Sequence, residues 1–339
     1  MQASTGASEG DLVRVTGAEQ RAWLSTASPT SLKGLRSARG KAQAAAMAPA
    51  RHSGFAYMLL APAGVFYFLF QLLPILLAFA LSFFNWNGIS LSQLKFVGFS
   101  NFATLAQDPI FVKSLVNNLV IVAVVLVVQG VGGFFLAVGI FAGIPGAKFF
   151  RRLTFIPVVV PGVAVALVGI FVFSPQFGLL DAGLHDVGLS QLEAPWLGSS
   201  TFALPAVIVT YIFQNIGLTV LLFLAALQQV DSTLLDAARV DGASPKTVVW
   251  DVIVPIIRPV AGIVILLALV SAFRLFDVAY VLTDGGPYYA SSTMVLYLYD
   301  VGFTQSQVGY ADAIGVVIFL IIMVFAAVQL RLMRAGSRG

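Results

Sequence analysis

Two opposite charges, Arg274 and Asp277, stand three residues apart in an otherwise apolar stretch of the chain. An arginine in hydrocarbon costs about 2.5–3.5 kcal/mol even on a lenient insertion scale, so such groups face a partner or water. Positions i and i+3 of a helix share a face. The pair therefore either neutralises itself and locks its helix, or marks a face that lines a path for a polar solute, with Ser271 a turn below. Gln214 and Asn215, adjacent in another apolar run, pose the same choice. Their amides could bind a hydroxyl-bearing solute or hold two helices together. Tyr211, Phe273 and Tyr280 could stack on a ring or simply pack.

Several other chemistries lack their residues. There are no cysteines, hence no disulfides, thiolate metal sites or cysteine nucleophiles. The two histidines, His52 and His185, lie outside the apolar runs, which removes serine–histidine and HExxH arrangements within them and any multi-histidine metal site. Gly40-Lys41 has Ala42 where a phosphate-binding loop needs a hydroxyl, and no strand precedes it. ATP chemistry, if transport uses it, belongs to another subunit.

The elements that carry these residues follow from composition. Hydrophobic side chains make up 59% of the 339 residues and charged ones 10%. Stretches 53–94, 114–147, 153–180, 194–230 and 313–330 contain no charged residue at all. About 20 apolar residues in a helix cross a bilayer core of about 30 Å. The expected fold is an all-α polytopic membrane protein with six transmembrane helices, near 55–84, 115–141, 154–173, 202–227, 260–282 and 311–332. Pro157 and Pro161 open the third span, where they either allow a functional bend or reflect the ordinary proline content of membrane helices.

Six spans put both termini on one side. The segments expected there are the N-terminal tail, 143–153, 229–259 and the C-terminal tail, and they hold 16 of the 19 lysines and arginines. By the positive-inside rule that side is the cytoplasm of a bacterial plasma membrane, and the net charge of +4 reflects topology, not nucleic-acid binding. Asp108, Asp181, Asp186, Glu193, Asp284 and Asp300 then fall outside, beside Trp86, Trp196, Tyr288 and Tyr289. Residues 1–50 read as a disordered basic cytoplasmic tail without a signal-peptide core, and 51–339 as the membrane domain.

Between the fourth and fifth spans lies a polar island, 234–259, LLDAARVDGASPKTVVWDVIVPIIRP. It reads as two short helices bent at Gly242, a surface shaped for docking. Its Asp236-Ala237-Ala238, Asp241-Gly242-Ala243 and Val254-Pro255 resemble the EAA motif of permease subunits of ATP-binding-cassette importers. Phe96-Val97-Gly98-Phe99-Ser100-Asn101-Phe102 and the stretch FRLFDVAYVLTDGGP, 273–287, resemble the carbohydrate, maltose-type and binding-protein-dependent branch of that family. The resemblance implies that 229–259 is a coupling-helix loop, with Asp236, Ala237, Ala238, Asp241, Gly242, Ala243 and Pro255 meeting an ATPase. Asp236 stands where the family has glutamate, and Trp250 stands one place after the family's aromatic.

The resemblance further implies two copies of a Mg-ATP-hydrolysing partner, a second homologous permease and an extracytoplasmic solute-binding protein, with this chain binding no cofactor. The implied cargo is a sugar, oligosaccharide or related polyol, and substrate contacts would fall on the fifth span, including Ser271, Arg274 and Asp277. Two alternatives remain. One is an ion-coupled secondary transporter, which would need mid-membrane carboxylates. The other is an importer of the same family for glycerol phosphate.

Overall fold

A computed structural model describes residues 53–335; the expected tail over 1–50 lies outside them. The described residues divide into two units, with the boundary between Gln71 and Leu72. In the first, a helix spans Ser53–Tyr67 with Pro62 inside it, and its large apolar side chains from Tyr57 to Tyr67 are exposed. The second carries nearly all the remaining helices and one two-stranded antiparallel ribbon, Phe84–Asn85 with Lys95–Phe96.

Among the described residues, five helices are long and apolar enough to cross a membrane: Tyr57–Leu81, Pro109–Phe141, Ala203–Leu227, Pro245–Phe273 and Val308–Arg334. A sixth crossing exists only if Ala147–Val159 and Gly162–Val172, bent by 111° to each other, count as one. The third span expected over 154–173 is thus broken near its middle, a bend sharper than a proline kink, and its first half begins earlier, at Ala147. The cause is local. A residue before proline is pushed into extended backbone, and both Val160 (ψ 133°) and Pro161 (ψ 141°) are extended, so the helix cannot continue.

The fifth span also departs from expectation. It starts at Pro245 and ends at Phe273, where Arg274 caps it, and a separate helix begins at Asp277 and runs to Thr283. The second helix of the island is thus no separate short helix but the first turns of this span. The junction is π-helical over Val248–Ile253, just before Pro255. Proline has no N–H to return to the carbonyl four residues earlier, so the widened turn absorbs the mismatch.

Breaks inside a membrane free carbonyls that neighbours must satisfy, and polar side chains on other helices do this. Gln214 Nε2 donates to the Val160 carbonyl at 3.3 Å. Asn118 Nδ2 donates to the carbonyls of Ala272 and Phe273 at 3.4 and 3.5 Å, while its Oδ1 accepts from Met294 N–H at 2.7 Å. Thr293 Oγ1 donates to Leu275 O at 2.8 Å. Lipid tails are as apolar as leucine, so helices associate through close packing and such bonds.

Small residues mark the closest approaches. A Cβ on Gly217 would overlap the Thr154 carbonyl, fixing the fourth span against Ala147–Val159. Two clusters of buried apolar side chains result. One centres on Ile121, Val207, Phe273, Val278 and Ile314, the other on Val220, Phe223, Leu227, Ile253 and Ile257. At the far end Asn101 Nδ2 donates to Ser82 O (2.8 Å), Phe84 O (2.9 Å) and Gly309 O (3.4 Å), tying the end of Leu73–Leu81 to the start of the last span.

Candidate functional site

The island folds as a capped hairpin. Its first helix, Ser232–Val240, starts at Asp231, whose carboxylate accepts from the Thr233 N–H at 2.9 Å. That bond holds the Asp231 carboxyl below the usual range. The helix ends in a Schellman motif: Ala243 N–H reaches Ala238 O (2.9 Å) and Gly242 N–H reaches Arg239 O (3.1 Å), with Gly242 at φ 76°. No atom lies within 4 Å of the place a Gly242 Cβ would take, so the glycine is required by backbone conformation alone. Ser244 then caps the next helix by accepting from Thr247 N–H at 3.2 Å, with Pro245 in the first turn.

One side chain roots the hairpin. Leu235 is buried among Val230, Ile253 and Ile257, whereas Leu234, Asp236, Ala237, Val240, Asp241 and Gly242 are exposed. Val240 is 87% exposed, an apolar side chain left uncovered at the tip of a charged segment. Ala238 and Ala243 are partly covered, and Pro255 is exposed. Asp236 pairs with Arg239 at 3.1 Å across one turn, both well exposed. Two open charges of this kind exchange partners at little cost.

The polar residues sort into two places. Asn215 and Ser271 line one small cavity with Gln129, Tyr211 and Thr219, about 30 Å³ in volume, room for a water or two and not for a larger solute. Asn215 also donates to Tyr211 O of its own helix at 3.0 Å. Gln214 and Asp277 meet elsewhere, over Gly162: a Cβ there would overlap the Asp277 carboxylate and lie 3.2 Å from the Gln214 amide nitrogen.

Arg274 joins neither group. It sits exposed at the end of Pro245–Phe273, and no ion pair links it to Asp277 among the described residues. The break at 274–276 removes the common face that an unbroken helix would give the pair. Asp277 Oδ1 instead accepts from Val278 N–H at 2.9 Å.

Three groups escaped the sequence reading. Gln129, 2% exposed in a π-helical turn of the second span, has no hydrogen-bond partner for its Nε2. Asn117 and Asn118 are buried in the same span. Lone amides inside a charge-free run were their signal. Asp108 caps the second span by accepting from the N–H groups of Ile110 and Phe111, and it also accepts from the hydroxyls of Tyr297 and Tyr310. Nothing in sequence spacing joins residues some 200 positions apart.

Residues 129–336 match the family model for the binding-protein-dependent transport system inner membrane component. The chain is 33% identical over 283 residues to "Probable ABC transporter permease protein YurN" of Bacillus subtilis, covering 83% of this chain and 96% of that one. It is 34% identical over 251 residues to the multiple sugar-binding transport system permease protein MsmF of Streptococcus mutans, covering 74% and 85%. Its fold is that of a chain in the crystal structure of a bacterial ABC transporter involved in the import of the acidic polysaccharide alginate. There the TM-score is 0.73 at 20% identity, over 84% of this chain and 96% of the other.

Proposed function

The chain belongs to the family of binding-protein-dependent transport system inner membrane components, and from that membership we propose that it is the permease subunit of an ATP-driven importer for a sugar, oligosaccharide or related polyol. Two copies of a partner ATPase bind and hydrolyse Mg-ATP, a second homologous permease completes the pore, and an extracytoplasmic binding protein delivers the cargo. The chain lies in the bacterial cytoplasmic membrane with both termini and the hairpin inside, as its lysine and arginine distribution favours.

The observation that carries this reading is the continuity of the hairpin with the fifth span. The exposed tip around Val240, Asp241 and Gly242 is one turn away from a helix that runs from Pro245 to Phe273. Those 29 residues make a lever about 43 Å long at 1.5 Å per residue. Closure of an ATPase pair around Asp236, Ala237, Ala238, Asp241, Gly242 and Ala243 would move the lever's base at Pro245 and, with it, Pro255 further along the same helix. The displacement reaches Ser271 near its far end, which lines the small cavity with Asn215. Alternating access then consists of opening that closed polar seam toward one side or the other. The chain makes and breaks no covalent bond.

The sugar class is supported by the likeness to a multiple sugar-binding system and by the neutral amide and hydroxyl character of the seam. A secondary transporter would need a mid-membrane carboxylate free to take an ion, whereas Asp277 is turned onto the Val278 amide and Gly162, and Asp312, whose Oδ2 is buried without a partner, stands at the start of the last span and not at its middle. The test is capture of the C-terminally tagged chain from its native membrane in mild detergent, followed by mass spectrometry. A Walker-motif ATPase and a second permease in stoichiometric amounts are expected. Recovery of the chain alone, even after crosslinking, would overturn the importer.

A further inference from the structure

A bowl of about 390 Å³ opens between the short helix Asp277–Thr283 and the segment Met294–Thr304. Its lining includes Tyr280, Tyr288, Tyr289 and Tyr299, with the carboxylates of Asp284 and Asp300, and it holds no lysine, arginine or histidine. Tyr288 is 88% exposed and Tyr280 40%. Tyr280 stacks on Phe276 and meets the edge of Tyr299, so the rings form one aromatic wall of the bowl with Tyr288 its most open member.

The rim is built to hold its shape. Asp284, Tyr288 and Tyr289 all sit at positive φ (49°, 52° and 59°), a conformation that persists in non-glycine residues only when surroundings enforce it. The surroundings are visible. Ser291 Oγ donates to Gly286 O at 2.7 Å and meets Thr283 Oγ1 at 2.8 Å. From outside the bowl, Lys113 Nζ donates to Tyr288 O at 2.8 Å and Asn117 Nδ2 to Tyr289 O at 3.3 Å. A strained, fully braced loop that presents open rings beside carboxylates is a preorganised surface.

We propose that this bowl is a carbohydrate subsite on the extracytoplasmic face, which receives a neutral sugar before it enters the closed seam. The chemistry follows from the residue types. Sugar rings present C–H faces that pack on tyrosine, and carboxylates accept hydrogen bonds from hydroxyl groups, the stronger charge-assisted kind. Two carboxylates without a lining cation repel a phosphate or carboxylate. The bowl therefore selects against glycerol phosphate. This subsite rests on the importer reading above.

The assembled complex, purified without its binding protein, tests the subsite by saturation-transfer NMR. The probes are neutral disaccharides, among them maltose and cellobiose, and sn-glycerol 3-phosphate. The ring-proton signal of at least one disaccharide should fall five-fold or more in Tyr288→Ala and in Asp284→Asn, and return in Tyr288→Phe. Asparagine tolerates positive φ, so Asp284→Asn removes charge without disturbing the loop. Undiminished signal in both variants, or preferential binding of sn-glycerol 3-phosphate, overturns the subsite. If those variants also leave ATP-driven uptake unchanged, the importer stands and the subsite alone falls; a chain that captures no ATPase removes both.

Discussion

The Asp277 carboxylate packs onto the α-carbon of Gly162, so the start of one half-helix is seated against the start of another. Each belongs to a broken span, and the contact joins the two breaks. Any side chain at 162 would displace the carboxylate.

From this contact Gly162→Ala should destabilise the folded chain by ~1–3 kcal/mol, the usual cost of overpacking. Thermal unfolding in detergent reads it as a lowered midpoint. Asp277→Ala should relieve the clash, so the double variant should lose less than the sum of the singles, and strict additivity would show that the two residues do not meet.

Asn118 ties the end of the fifth span to the helix that starts at Met294, donating to Ala272 and Phe273 and accepting from Met294. Asn118→Leu removes the side-chain partner of the buried Met294 N–H and of the Phe273 carbonyl, each worth ~1–3 kcal/mol, while Ala272 O keeps its bond from Leu275 N–H. We expect poor accumulation in the membrane. Equal accumulation to the unaltered chain would mean that the break is supported by other groups.

Gly242 adopts φ 76° with open space around it. A residue with a Cβ there pays backbone strain of ~1–2 kcal/mol without a clash. Gly242→Asn should couple ATP hydrolysis to uptake nearly as well as glycine, Gly242→Val less well. Gly242→Pro cannot adopt a positive φ and should abolish coupling while the protein still inserts. Full uptake in the proline variant would remove the hairpin from the mechanism.

Asp108 supplies a pH dependence. Burial works against its charge, but the Tyr297 and Tyr310 hydroxyls and the Phe111 and Ile110 N–H groups outweigh it, so its carboxyl titrates below the usual 3.8. A carboxyl depressed in the folded state stabilises fully above its unfolded value and loses that contribution as pH falls through its folded value. The melting temperature should therefore hold steady from neutral pH to about 4 and fall below it. Asp108→Asn should melt lower at pH 7 and show a weaker acid-induced fall. An identical acid profile would assign the fall to other carboxylates.

The charge-free runs specified a polytopic helical protein directly, because no soluble core needs 20 apolar residues in sequence. The island at 234–259 was legible too: Gly242, the capping Ser244 and the flanking prolines act through bonds within a few residues, and the structure builds a capped hairpin from them. The polar residues within the spans were legible only as types. Arg274 and Asp277 looked like partners because an unbroken helix puts i and i+3 on one face. The break at 274–276 removes that face, and it persists because Asn118 and Thr293, distant in sequence, satisfy the carbonyls it frees.

Local sequence determined what each segment could be: apolar length set the helices, Val160-Pro161 set the third-span break, and Gly242 set the turn. Tertiary structure decided which of the scattered polar groups meet. Gln214 finds Val160 and Asp277 finds Gly162, while Asn215 shares its cavity with Gln129, and Asp108 gathers two tyrosines from nearly 200 residues away. The reason is physical. Backbone propensity is a short-range property, but inside a membrane an unpaired polar group has no water to turn to, and its partner is whichever donor or acceptor the packed helices bring within reach.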